Sequence, residues 1–219
     1  MAGPKRELRA EQTVQVRILH HLRRSYSAID AELRQLERKV GPGAALRRSQ
    51  MRAAQTAMRR EIAELWKLVG SEVEAGRVLA AAAAGDDLAE AADIFKLAGL
   101  SQAEIRRLKI GMRKAATLNI DAALRRTMGD SYIPLSKRVW KSEVLVRGQL
   151  DRIIFDHLSR GSSAREFAKA VRQFALPSTR GGVRYAAARL ARTEINKAHH
   201  AAKKRENAAE TVDTYARSR

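Results

Sequence analysis

Cysteine is absent from this chain of 219 residues, which excludes disulfides and thiolate metal sites. Aromatic side chains make up only 5% of it, and glycine and proline number 13 and 4, so both the bulky β-formers and the chain breakers are scarce. No stretch approaches the roughly 20 apolar residues of a membrane span. The alanine run Ala80 to Ala84 is too short and too weakly apolar. Met1 to Arg6 leads directly into charged residues, without the apolar core of a signal peptide. A soluble protein without membrane contact is expected. Gly181-Gly182 lacks the Lys-Ser/Thr pair of a phosphate loop. No His-Glu-x-x-His pattern or acidic cluster of metal-ligand spacing occurs. His20-His21 and His199-His200 are adjacent pairs, whose rings diverge on a helix. No enzyme, metal site or cofactor is expected.

What is present is Ala, Leu, Arg, Lys and Glu, all strong helix formers. The fold class expected is all-α, with a long N-terminal helical hairpin, a multi-helix domain after it, and little or no sheet. Basic residues number 43 against 24 acidic, a formal charge of +19. Such an excess attracts polyanions, nucleic acid above all, or an acidic protein surface. The charge is uneven: residues 61–100 hold 3 basic and 8 acidic side chains, whereas 1–60 hold 14 and 5.

From Glu11 to Val40, the residues Leu19, Leu22, Tyr26, Ile29, Leu33, Leu36 and Val40 recur at alternating spacings of three and four, a heptad-like seam. Gly41-Pro42-Gly43 should break this helix. A second pattern follows through Met51, Ala54, Met58, Ile62, Leu65, Val69 and Val73. Residues 1–84 therefore read as an antiparallel hairpin. Its seam, Leu22, Tyr26, Ile29, Leu33, Leu36 and Val40, serves either the hairpin itself or docking onto a larger assembly. Gly85-Asp86-Asp87 is the next expected break, followed by a short helix from Leu88 to Ala98. Ser101 to Glu104 forms a capping box for a helix extending toward Met128, and 85–131 reads as a connector. Ile133-Pro134 forces extended backbone. A helix is expected from Ser136 to Ser159, with Gly161 as its left-handed terminator. Ser163 to Glu166 is a second capping box, for a helix with Phe167, Val171 and Phe174. The loop Pro177 to Gly182 leads to the last helix.

That last helix carries Leu190-Ala191-Arg192-Thr193-Glu194-Ile195-Asn196-Lys197-Ala198. At 100° per residue, Val183, Ala187, Leu190, Glu194, Ala198 and Ala201 share one face. Tyr185, Arg189, Arg192, Asn196, His199 and Lys203 share the opposite one. The first face should be buried, leaving Glu194 in need of a cation or backbone amides from another helix. Arg147 and Arg152 are candidates. The second face should be exposed and basic.

The motif Arg192, Thr193, Glu194 and Asn196, preceded by the turn Gly161-Ser162-Ser163 between two helices, resembles the signature of the Mu F-like phage head morphogenesis family. The resemblance covers about Tyr132 to Asn207, roughly a third of the chain, and marks 132–219 as such a domain. Members often continue into a strand-like segment with Trp, His and Cys, so this is either a short member or a truncated one. The resemblance implies a minor structural protein of a tailed-phage head, present in multiple copies near the portal vertex inside the capsid. It acts in head assembly, DNA packaging or genome delivery, after assembling in the host cytoplasm. The expected partners are the portal protein, duplex DNA bound without sequence preference, and the major capsid protein or scaffold. The residues expected to meet phosphates are Arg180, Arg184, Arg189, Arg192, Lys203, Lys204 and Arg205. The alternative is a protein-binding adaptor that never touches DNA.

Overall fold

A computed structural model describes residues 3–41, 43–91, 101–117, 120–176 and 182–217. Side chains are described for all of these except 3–7, 88–91, 112–113, 115–116 and 205–217. The described residues form seven α-helices and no strand: α1 Gly3–Val40, α2 Arg48–Ala91, α3 Gln102–Thr117, α4 Ile120–Met128, α5 Leu135–Ser159, α6 Ala164–Ala175 and α7 Val183–Arg217. A 3-10 turn, Gly129–Ser131, follows α4. The all-α reading holds, as does the long N-terminal helix pair, in which α1 and α2 pack together.

The chain forms two compact units, each assembled from separated stretches. One comprises 1–14, 73–134 and 191–219, and the other 15–72 and 135–190.

In the unit of 15–72 and 135–190, the seam of α1 is buried within the chain's own core. Leu22, Ile29, Leu33 and Leu36 are buried, while Tyr26 and Val40 are half-buried. Leu22, Tyr26 and Ile29 line one cavity with Met58, Ile62 and Leu65 of α2, Leu150 of α5 and Val171 of α6. The seam is therefore occupied internally and is not free for a docking partner. Burying such a row supplies most of the helix stability that propensity alone cannot. Between these helices lies an apolar cavity of about 10 Å³ to a water-sized sphere, room for about one water.

Local signals end the helices where the sequence places them. Gly41 closes α1 at φ +86°. Gly161, at φ +62°, closes α5 with the Ser162 amide donating to the His157 carbonyl at 3.0 Å and the Gly161 amide to the Leu158 carbonyl at 3.3 Å. That is the Schellman pattern, which satisfies carbonyls a helix end would leave orphaned. The capping box of Ser163 and Glu166 is complete. The Ala164 amide donates to the Ala44 carbonyl at 3.2 Å, so the α1–α2 loop satisfies one orphan donor of α6.

Ion pairs link helices of this unit. Arg172 of α6 donates through Nε to Asp30 at 2.6 Å and through both terminal nitrogens to Glu37 at 3.1 and 3.2 Å, both acids on α1. Arg59 of α2 clamps Asp151 of α5 at 3.0 and 2.6 Å, and Gln55 adds a third donor at 2.9 Å. The hydrogen bond from Arg172 holds the Asp30 carboxyl below its ordinary value, against the opposing effect of burial. Burial raises the Asp151 carboxyl, but the donors Arg59 and Gln55 outweigh it and the net shift is downward. A carboxylate depressed in the folded state stabilises it above the unfolded pKa, near 3.8 here, and loses that contribution as pH falls through the folded value. Urea midpoints should therefore be level from neutral pH to about 5 and fall below about 4. Asp30→Asn with Asp151→Asn should flatten that acid limb, and an unchanged limb would show that these pairs do not set it.

In the unit of 1–14, 73–134 and 191–219, α2 changes character. Gly76, Arg77, Ala80, Ala81, Ala83, Ala84 and Gly85 are buried, so the helix is enclosed over a wide arc, filled by small side chains apart from Arg77. The break expected at Gly85-Asp86-Asp87 does not occur, because α2 runs through it to Ala91. Glycine costs a helix about 1 kcal/mol relative to alanine, but burial among alanines offsets that. Of the short helix expected from Leu88 to Ala98, 88–91 belong to α2 and 92–98 lie outside the described residues. The second core packs Ala81 and Ala84 with Ile120, Ala123, Leu124, Ala198, Ala201 and Ala202, covered by Met128 and Tyr132. The helix opened by Ser101 does form, with the Glu104 amide donating to Ser101 Oγ at 3.3 Å and the Ser101 amide to Glu104 Oε2 at 2.9 Å.

Candidate charged sites on α2 and α7

The face of α7 expected to be buried is buried. Val183, Ala187, Leu190, Glu194, Ala198 and Ala201 are all at most 8% exposed. Of the motif residues, Arg192 and Thr193 are exposed, Glu194 is buried and Asn196 is half-buried.

Glu194 is 2% exposed, and Lys197 Nζ lies 4.0 Å from it on the same helix. Arg77 of α2 is a cation on another helix near enough for its guanidinium to feel the Glu194 charge. Of the candidate donors on α5, Arg147 donates to Glu143 at 3.2 Å on its own helix, and Arg152 is exposed. Arg77 itself is 1% exposed. It donates to Glu74 at 2.7 Å and to Asp121 of α4. Burial works to lower its pKa, but the hydrogen bond to Asp121 and the charges of Glu74, Asp121 and Glu194 outweigh this and raise it. Tyr132 donates its hydroxyl to the same Asp121 oxygen at 2.6 Å, and Arg125 stacks over the Tyr132 ring. Three carboxylates, Glu74, Asp121 and Glu194, thus act on one buried guanidinium. Such a centre fixes helix positions, and removing the arginine takes a compensating charge from the buried Glu194. The sequence signal for it was present. The apolar row of α2 passes from Val69 and Val73 through position 77 to Ala80 and Ala84, and an arginine there is as anomalous as Glu194 is on α7.

His199 was expected on the exposed basic face. It is 2% exposed instead, with Nε2 3.6 Å from Asp87. Ile195 is also fully buried. The reason is the width of the contact: Ala191, Glu194, Ile195, Ala198, His199, Ala201 and Ala202 are all buried, an arc of roughly 160° around the helix. Enclosure by several helices widens the buried side beyond a single seam.

The residues expected to meet phosphates divide as follows. Arg184 and Arg189 are exposed, beside the 57% exposed Tyr185. These belong to the unit of 15–72 and 135–190. In the other unit Lys204 is exposed. Arg192 has a 64% exposed side chain, and its Nε donates to Glu11 at 2.8 Å. Lys203 is half-buried with Nζ 3.7 Å from Asp87. Arg180 and the side chain of Arg205 lie outside the described residues. Among the described residues no group of three or more potential ligands could hold a metal ion, and no helix is long and apolar enough to cross a membrane. Compared with known proteins, the chain matches no protein-family model, no curated protein and no solved structure.

Proposed function

We propose that this chain is a minor structural protein of a tailed-phage head, placed near the portal vertex, which binds duplex DNA without sequence preference and has no catalytic step. The observation that carries the DNA part is the division of charge. Carboxylates such as Asp30, Glu37 and Asp151 are engaged by internal cations, while Arg184, Arg189 and Lys204 stand exposed. The chain's net charge is +19, and exposed basic side chains hold phosphates without reading bases. The viral part rests on the motif Arg192, Thr193, Glu194 and Asn196 and its place after two capped helices. Under this reading the portal protein and the capsid or scaffold are its protein neighbours. Assembly takes place in the host cytoplasm.

A salt titration tests the DNA reading. Anisotropy of two unrelated labelled duplexes should give equal affinities that fall steeply with salt, with a log–log slope of about 0.9 per phosphate contact. The triple variant Arg184→Glu, Arg189→Glu, Lys204→Glu should bind at least about tenfold more weakly, and its slope should be shallower by roughly 2 to 3. Salt-insensitive or sequence-selective binding would refute it. No binding at low salt, together with retained binding to a purified portal, would select the adaptor role instead.

A further inference from the structure

The outward side of α5 has no role in either core, yet its composition is not that of a solvated surface. Trp140, Val144, Leu145 and Phe155 are 59%, 43%, 70% and 69% exposed. At 100° per residue, Trp140, Val144, Phe155 and Gly148 fall within one strip roughly 80° wide, with Leu145 about 60° beyond it. The chain has only two tryptophans. Trp66 is fully buried, while Trp140 is turned outward. A large rigid aromatic beside aliphatic residues is the composition of a binding hot spot.

Gly148 sits within the strip, and a Cβ added there would meet nothing within 4 Å. The fold therefore does not require glycine, which weakens a helix relative to alanine. A bare backbone in an apolar strip admits the close approach of another chain. The exposed cations of this side are Lys137, at a strip position, and Lys141 and Arg152, roughly 20° and 40° beyond its edge. Of the three acids of α5, Glu143 receives Arg147 and Asp151 receives Arg59. Asp156, exposed at the C-terminal edge, lies beyond the strip.

We infer that this strip is the docking site for an amphipathic helix of another protein, one whose apolar ridge is flanked by acidic residues. Charge complementarity selects that occupant. A second copy of this chain would bring Lys137, Lys141 and Arg152 against their equivalents, on a molecule already at +19. The glycine notch favours a helix over a lipid surface, which needs no notch. The inference is independent of the DNA reading, since Gly148 and Trp140 carry no charge and are not among the proposed phosphate contacts.

The test uses the full chain and two labelled synthetic helices of identical Leu/Ala ridge, one with Glu flanks and one with Lys flanks. Phosphatidylserine–phosphatidylcholine vesicles form a third arm. The Glu-flanked helix should bind, and the Lys-flanked one at least tenfold more weakly. Trp140→Ala should lose at least tenfold. Gly148→Leu should also lose at least tenfold, although it improves helix propensity, so unfolding cannot explain its loss. Equal or tighter binding of the Gly148→Leu variant would mean indiscriminate apolar adhesion and overturn the inference. So would equal binding of the two helices, or vesicle binding by the wild type that Trp140→Ala abolishes while peptide binding persists.

Discussion

Arg77→Met is expected to lower the free energy of unfolding by about 3 to 5 kcal/mol, the cost of stripping one partner from a buried ion cluster. For a chain of this size that is a fall in Tm of roughly 6 to 20 °C. Methionine nearly matches the arginine stem in length, so the core keeps much of its packing. What is lost is the charge. Glu194, 2% exposed, would lose the attraction of a buried guanidinium, and Asp121 would lose one of the donors that hold its carboxyl down against burial. Asp121 is itself more than half exposed and can turn to water, so most of the loss should trace to Glu194. A double-mutant cycle separates the two. Adding Glu194→Leu to Arg77→Met should recover most of the stability, because an apolar pair of similar volume has no uncompensated charge. Adding Asp121→Asn should recover little. A loss under about 1 kcal/mol for Arg77→Met would show that Glu194 does not depend on it.

Residues such as Gly161, Ser163 and Ser101 were legible because their signals act within one turn of helix. A left-handed terminator or a capping box needs only its own backbone and a neighbour three residues away. The buried row of α7 was also legible, because a single amphipathic face is written at a fixed period. Position 85 failed for the opposite reason. Gly-Asp-Asp is a local stop signal, but the alanines around it are enclosed by helices far away in sequence, and that burial decides the outcome. His199 failed because periodicity gives the centre of a buried face and not its width. Arg77 was missed because an isolated cation in an acidic stretch reads as solvated surface until one asks which row it occupies. On the charged sites the sequence indicated which helix carries the cations. It could not indicate that Glu11 reaches Arg192, or that Asp87 lies within 4 Å of both His199 and Lys203, since those pairings depend on tertiary placement.

Gly76→Ala should reverse the sign that helix propensity alone would give. In an open helix the change gains about 1 kcal/mol, and Gly148→Ala, whose Cβ meets nothing within 4 Å, supplies that reference in the same protein. At position 76 the added carbon lands 2.6 Å from Val14 Cγ2 and 3.0 Å from Ile195 Cδ1. Both neighbours are fully buried. Valine cannot swing away, because a β-branched side chain in a helix has one strongly preferred rotamer. The helices α1, α2 and α7 must therefore separate locally or strain, and overpacking of this kind costs about 1 to 3 kcal/mol net. The glycine is thus a packing residue at a point where α2 meets Val14 of α1 and Ile195 of α7, which is why α2 tolerates it in mid-helix. Val14→Ala in the Gly76→Ala background should restore part of the loss by opening room for the new methyl, whereas Val14→Ala alone should destabilise by leaving a cavity. Opposite signs for Val14→Ala in the two backgrounds would establish the contact. A Gly76→Ala variant as stable as Gly148→Ala would mean that these three helices pack less closely than described.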